Sequence, residues 1–300
     1  MQSSSPTRSS ASLALGHLER AFRAPPRFRG VPLERLRHRT LWISDLHLGS
    51  RHSRAEALLG LLEAVEVETL YLVGDIIDEW KLRRGAAWPV AHAAVLERIA
   101  IMARTGTRVI YVSGNHDISL RDVDVDVPEI EVVEETVHET ADGRRLLVIH
   151  GDQFDEYSDE ASLVVRVGDW SYQAAMAINL VFDRGARRSG GSTRSLSLRL
   201  KQKVKKAVKY IGNFEGRVAA HAARLDVEGV VAGHIHRAEI RRIGDILYLN
   251  DGDWVESCTG LVEDEHGRLC LYRLRAGEWR VETEEPERAE PDFPARALAR

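Results

Sequence analysis

Five apolar runs of strand length, each followed at once by Asp, Asn or His, constrain this chain more than any other feature. Thr40–Ser44 runs into Asp45-Leu46-His47, and Thr69–Val73 into Gly74-Asp75-Ile76-Ile77-Asp78. Arg108–Ser113 leads to Gly114-Asn115-His116-Asp117, Leu146–Ile149 to His150-Gly151-Asp152, and Gly229–Ala232 to Gly233-His234-Ile235-His236. Between them, Arg54–Ala64 and Ala91–Arg104 carry apolar residues at helical spacing. From Arg241 onward the pattern turns hairpin-like, with Ile246–Leu249, Trp254–Val262 and Arg268–Leu274, and Gly267 in a turn. Strands alternating with helices predict an α/β layered domain. In such sheets sites form beyond the carboxyl ends of strands, where loops converge on a rigid frame. Five strands therefore deliver Asp, Asn and His to one rim.

Chance supplies a single Asp-X-His easily, and a lone buried His is usually a satisfied core residue. Five such elements in order, each directly after a strand, are a different matter and point to a metal site. No Cys stands among the candidates, which excludes a thiolate zinc or iron–sulfur site. Imidazole, carboxylate and amide oxygen together suit Mn²⁺, Fe²⁺ or Zn²⁺. The seven candidate ligands Asp45, His47, Asp75, Asn115, His150, His234 and His236 are too many for one ion. A pair of ions sharing a carboxylate, ~3.5–4 Å apart, is the economical solution and suits a phosphoryl centre.

Composition enters mainly at the ends. The net charge of −4 excludes a chain-wide polyanion binder, and no apolar run approaches the ~20 residues of a membrane helix. Two cysteines, Cys258 and Cys270, cannot form a disulfide framework, and a reduced, cytoplasmic protein is the default expectation. Residues 1–39 hold eight Arg and two Glu beside Ser clusters and Pro25-Pro26, and read as a flexible basic N-terminal arm rather than a targeting segment. Residues 282–300 read as a loose C-terminal tail.

In full, the ordered pattern resembles that of the calcineurin-like binuclear metallophosphoesterases: Asp-X-His, Gly-Asp-X-X-Asp, Gly-Asn-His-Asp, a later His, then Gly-His-X-His. The resemblance spans about Thr40 to Leu274. It implies a four-layer α/β/β/α sandwich of two mixed β-sheets flanked by helices, in a domain over 40–281. It also implies that Asp45, His47 and His236 hold one metal and Asn115, His150 and His234 the other, with Asp75 shared. His116 would then face the phosphate without ligating, oriented by Asp117, with Asp78 behind it as a supporting group. The implied chemistry is hydrolysis of a phosphoester or phosphoanhydride by a hydroxide between two divalent ions, Mn²⁺ foremost.

More locally, Leu72–Trp80, Val148–Asp155 and Gly252–Ser257 resemble the UDP-2,3-diacylglucosamine diphosphatase branch. That implies release of UMP and a lipid sugar phosphate on the path to lipid A, at the cytosolic face of the inner membrane. At 116 this chain carries His where that branch carries Arg. A general phosphodiesterase acting on nucleotides or nucleic acid is therefore the alternative, and a non-catalytic metal-binding scaffold the lesser one. A helical insertion over about 156–225 reads as a lid. Its apolar stripe (Leu196, Leu200, Val204, Val208, Ile211) suits acyl chains. Ten Arg or Lys and no acid between Arg184 and Lys209 suit an anionic membrane surface or a diphosphate. Nucleic acid is disfavoured there, because no aromatic interleaves with the basic run before Tyr210. Lys203, Lys206, Trp80 and Arg83 are the candidate substrate contacts, and no obligate protein partner is evident.

Overall fold

Period-two alternation in the central strands decides the architecture. The structure, a computed structural model, describes residues 11–23, 36–121, 127–155, 210–275 and 278–284. In β1 (Leu36–Ile43) and β2 (Val65–Val73), Leu41, Ile43, Leu70 and Leu72 face one way, while Trp42, Tyr71 and Val73 face the other. Both faces are apolar, so both must be covered. In β6 (Arg145–Ile149), Leu146 and Val148 likewise oppose Leu147 and Ile149. The result is two sheets packed face to face with helices outside each.

The first sheet has seven strands in the order β12-β11-β10-β1-β2-β3-β4, with β3 at Arg108–Val112, β4 at Ile130–Val133, β10 at Thr259–Glu263, β11 at Leu269–Arg275 and β12 at Glu278–Glu284. The second has five, β5-β6-β7-β9-β8, with β5 at Glu135–Glu139, β7 at Gly229–Ala232, β8 at Glu239–Ile243 and β9 at Ile246–Asn250. Both are mixed. β1 to β4 run parallel, as do β6, β7 and β9, while β10 and β5 pair antiparallel with their neighbours. Trp42, Tyr71, Val112, Val148, Val231 and Leu249 fill the seam between the sheets. Each such side chain taken from water contributes about 1.5–3 kcal/mol.

Outside the seven-stranded sheet lie α2 (Ala55–Ala64) and α4 (Val90–Arg104), packed through Leu58, Leu61, Leu62, Val95, Leu96 and Ile99. Outside the five-stranded sheet lies α5, residues 210–222, which places Tyr210, Phe214 and Val218 against Leu147, Ile149 and Tyr248. The expected layered sandwich is thus the observed one. Among the described residues no helix is long and apolar enough to cross a membrane. Cys258 and Cys270 are both free thiols.

The structure corrects two expectations about the ends. The supposed flexible arm contains a helix, α1 (Ala11–Arg23), whose Ala14, Leu18, Ala21 and Phe22 are buried in the same core as α4. β1 also begins at Leu36, ahead of the expected boundary. At the other end β12 runs to Glu284, three residues into the supposed tail. Of the expected lid, residues 156–209 lie outside the described residues.

Candidate metal centre

The parallel strands of both sheets end at one rim, and the motif residues meet there. β1 and β2 are locked together just past their ends: the amide of Asp45 donates to the Gly74 carbonyl (3.0 Å), that of His47 to Asp75 (2.9 Å) and that of Leu48 to Ile76 (2.9 Å). The rim carries backbone that L-residues rarely adopt. Asp45, His47, Asp75, His234 and His236 all have φ between 45° and 69°. Each such residue costs about 1–3 kcal/mol and persists only where its surroundings over-determine it. Two glycines make the close approach feasible. At Gly74 a Cβ would enter the His150 imidazole, and at Gly114 it would strike the Asp75 carboxylate and backbone nitrogen.

Around Asp75 the side chains converge. Its carboxylate lies 3.4 Å from His150 Nε2, 3.7 Å from His47 Nε2 and 3.8 Å from His116 Nε2. Asp45 Oδ1 lies 3.0 Å from His236 Nε2 and 3.7 Å from His47 Nε2. Among the described residues, three triads have ligand atoms mutually within 4.8 Å: Asp45 with His47 and His236, Asp45 with Asp75 and His150, and His47 with Asp75 and His116. Asp45, His47 and Asp75 each belong to two of them.

Several ligand atoms are buried with no hydrogen-bond partner: Asn115 Oδ1, His150 Nε2 and His234 Nδ1. Leaving such an atom unsatisfied costs about 1–3 kcal/mol, and more for a charged group. Concentrated at one rim beside the Asp45 and Asp75 carboxylates, they fit divalent cations of the oxygen- and nitrogen-binding kind. The remaining atoms of the same residues are anchored. His150 Nδ1 donates to the Val73 carbonyl (2.9 Å), which leaves Nε2 for the site. Asp45 Oδ2 accepts from the His234 amide (2.9 Å) and the Ser44 hydroxyl (2.7 Å).

Ser44 Oγ also lies 2.6 Å from Asp251 Oδ1. Burial, reinforced by the nearby Asp45 charge, pushes the Asp251 carboxyl well above the usual range. Burial would likewise raise Asp45, but the His236 imidazole outweighs it and holds Asp45 well below the ordinary carboxylate range.

His116 and Asp117 depart from expectation. Asp117 does not orient His116. Its carboxylate turns inward and accepts from the Gly114 amide (2.6 Å), the Ile76 amide (2.7 Å) and the Tyr111 hydroxyl (2.6 Å), tying the third motif to the second. Three donors in a fully buried pocket outcompete a neighbouring imidazole. Asp78 takes the orienting role, with Oδ1 3.1 Å from His116 Nδ1. Trp80 lies against the same imidazole, ring centroids 4.2 Å apart, and is 40% exposed. Arg83 reaches Glu79 (3.3 Å) instead of the rim. Lys203 and Lys206 lie outside the described residues. Ser44, Tyr111, Asp155, Tyr210 and Asp251 were not singled out as site residues from sequence. Only Asp155, within the Val148–Asp155 stretch, sits in a recognisable motif.

The calcineurin-like phosphoesterase family model matches residues 38–238. Curated relatives include the UDP-2,3-diacylglucosamine hydrolase of Bordetella parapertussis, 31% identical over 210 residues, covering 66% of this chain and 77% of the relative. The enzyme of that name from Xanthomonas campestris pv. campestris is 26% identical over 250 residues, covering 78% and 98%. Among solved structures, Vacuolar Protein Sorting 29 from Cryptosporidium parvum aligns with TM-score 0.45 at 16% identity over 83% of this chain and 97% of that one. Yfce, a phosphoesterase from E. coli, aligns with TM-score 0.44 at 16% identity over 82% and 97%. The chain belongs to the calcineurin-like phosphoesterase family. It is a metal-dependent phosphoesterase, of a family that works with a pair of divalent ions.

Proposed function

We propose that this protein hydrolyses the diphosphate of a lipid-linked nucleotide sugar of the UDP-2,3-diacylglucosamine kind, using two divalent ions, Mn²⁺ foremost. The observation that carries the metal reading is the set of buried ligand atoms without a hydrogen-bond partner on Asn115, His150 and His234, beside the carboxylates of Asp45 and Asp75. Asp45, His47 and His236 would hold one ion, Asn115, His150 and His234 the other, with Asp75 common to both. Such a pair supplies positive charge on the phosphoryl oxygens and lowers the pKa of the attacking water. The substrate reading is supported by the names and extents of the curated relatives and by the Leu72–Trp80, Val148–Asp155 and Gly252–Ser257 stretches. It places the enzyme at the cytosolic face of a membrane.

The protein's own groups then have separate tasks. His116, held through Nδ1 by Asp78, presents Nε2 beside Asp75 and donates a proton to the leaving oxygen or a hydrogen bond to the phosphoryl group. Asp117 stiffens the loop that carries Asn115 and His116. Ser44 and Asp251 fix the carboxylate of Asp45 from behind.

His116, standing where the relatives' branch resembled above carries Arg, favours a second reading, a general phosphodiesterase. Purified, Mn²⁺-loaded protein should be assayed on UDP-2,3-diacylglucosamine beside bis-p-nitrophenyl phosphate and cyclic nucleotides. Release of UMP with kcat/KM ~10²-fold or more above that for the small diesters is expected, on the scale that specific site contacts give. Indifference to the diacylated sugar with turnover of small diesters would reject the lipid reading and leave the phosphodiesterase.

A further inference from the structure

We infer that Asp155 and Tyr210 form a positioning pair for His234, fixing its imidazole as the Nε2–H tautomer so that Nδ1 is the nitrogen presented to a metal ion. The inference rests on the reading of His234 as a ligand and goes beyond it in naming which nitrogen binds and what sets it. Asp155 Oδ2 lies 3.3 Å from His234 Nε2, and the Tyr210 hydroxyl donates to Asp155 Oδ1 at 2.8 Å. The other ring nitrogen, Nδ1, is buried and has no hydrogen-bond partner.

A carboxylate is an acceptor only, so it fixes the proton on the nitrogen that faces it. In neutral imidazole the second nitrogen is then left with its lone pair, and the carboxylate makes that nitrogen a better donor to a cation. His150 shows the same logic with the ring reversed: Nδ1 is tied to the Val73 carbonyl and Nε2 is the unpartnered atom. The two imidazoles lie 5.2 Å apart, centroid to centroid, and thus present different nitrogens from neighbouring strands. His234 needs an anchor of its own because its backbone, at φ 69°, sits on a turn and not in the ladder. The anchor comes from two elements outside β7. Asp155 closes the short 3-10 turn Asp152–Phe154 after β6, its amide bonded to the Asp152 carbonyl (3.0 Å). Tyr210 opens the described part of α5, and Phe214, one turn on, packs its ring 5.6 Å from the His234 ring. Asp155 is only 15% exposed, so the contact works with little competition from water.

The test uses the full chain, ¹⁵N-labelled, freed of metal by chelation and then titrated with Mn²⁺. Long-range ¹H–¹⁵N spectra of the imidazoles, with His234 assigned by its loss in His234→Ala, should show a single Nε2–H tautomer before metal is added. Asp155→Ala should give mixed tautomers. By calorimetry, Asp155→Ala and Asp155→Asn should each bind two ions at saturation, one of them ~10–100-fold more weakly and the other unchanged. Tyr210→Phe, the gentlest variant, should keep the tautomer and weaken the same ion by less than Asp155→Ala does. An Nδ1–H tautomer in the parent, or parental affinity for both ions in Asp155→Ala, overturns the inference. Loss of one ion even at saturation in Asp155→Ala would make Asp155 itself a ligand and overturns it too. If His234→Ala binds both ions as tightly as the parent, the ligand reading fails, and the tautomer spectra show separately whether the pair exists.

Discussion

His116 is the residue whose role the geometry divides most finely. Its Nε2 lies close enough to Asp75 and His47 to complete a triad of ligand atoms, yet its Nδ1 is bound to Asp78 and its ring rests on Trp80. A group that assists chemistry and a group that holds metal respond differently to truncation. His116→Ala should retain two ions per chain while kcat falls ~10²-fold or more, the usual contribution of a positioned acid. Metal analysis finding one ion in that variant would make His116 a ligand and undo its assignment. The ligand types themselves were legible in the sequence, because Asp, Asn and His directly after strands have few other reasons to recur. What sequence order could not convey is which atoms face inward. Asp117 adjoins His116 along the chain yet spends its carboxylate on Gly114, Ile76 and Tyr111, and Asp78, from the loop after the preceding strand, takes its place. Asp155 and His234 meet across 79 positions of sequence, a pairing that only the folded sheet creates.

At the scale of elements, the strands legible in the sequence lie in the sheet interiors, although the expected Trp254–Val262 is a turn at 254–257 and a strand only over Thr259–Glu263, and the missed strands are edges. β4 and β12 border the seven-stranded sheet and β5 borders the five-stranded one. An edge strand needs fewer apolar residues and carries charges against stray pairing. Glu135–Glu139 and Glu278–Glu284 accordingly look like loops when read alone. β5 nonetheless carries His138, part of a buried polar tie between the sheets. Glu263 at the end of β10 accepts from His138 (2.8 Å), the Thr40 hydroxyl (2.8 Å), the Ala141 amide (2.6 Å) and Arg39 (2.9 Å). Burial would raise the Glu263 carboxyl, but these donors, His138 first, bring it below its ordinary value. A lowered folded-state pKa means stability that is full above the unfolded value of 4.5 and lost as pH falls through the folded one. Glu263→Gln should therefore cost about 1–3 kcal/mol in urea denaturation at pH 7, where the ionised acceptor is lost. The gap between parent and variant should narrow below pH 4.5 as the parent's own carboxyl protonates. A gap that stays constant from pH 7 to pH 3 would show that ionisation of Glu263 contributes nothing to the tie.

For the molecule as a whole, the N-terminal helix changes what counts as the folded unit. Across residues 1–39 the Arg and Ser content suggests a loose arm, and that average hides a short amphipathic stretch. Ala14, Leu18, Ala21 and Phe22 fall at i, i+4, i+7 and i+8, one stripe of a helix, and all four are buried. α1 lies on α4, with further contacts to α3 (Glu79–Arg83), and His17 stacks on Trp88 with ring centroids 3.7 Å apart. It thereby covers apolar surface of the outer helical layer that the family model, starting at residue 38, does not account for. Leu18, 1% exposed, lies in the middle of that stripe. If α1 is an integral part of the core, Leu18→Ala should destabilise the whole protein by about 2–4 kcal/mol, the range for a buried Leu that leaves a partly collapsible cavity. The denaturation midpoint should fall without a change in its slope, because the same surface is exposed on unfolding. Bound metal should stay at two ions per chain, since no residue of α1 belongs to the rim. If instead the midpoint is unmoved while the α1 amides lose their hydrogen-exchange protection, the helix docks and undocks on its own, and the folded unit begins at β1.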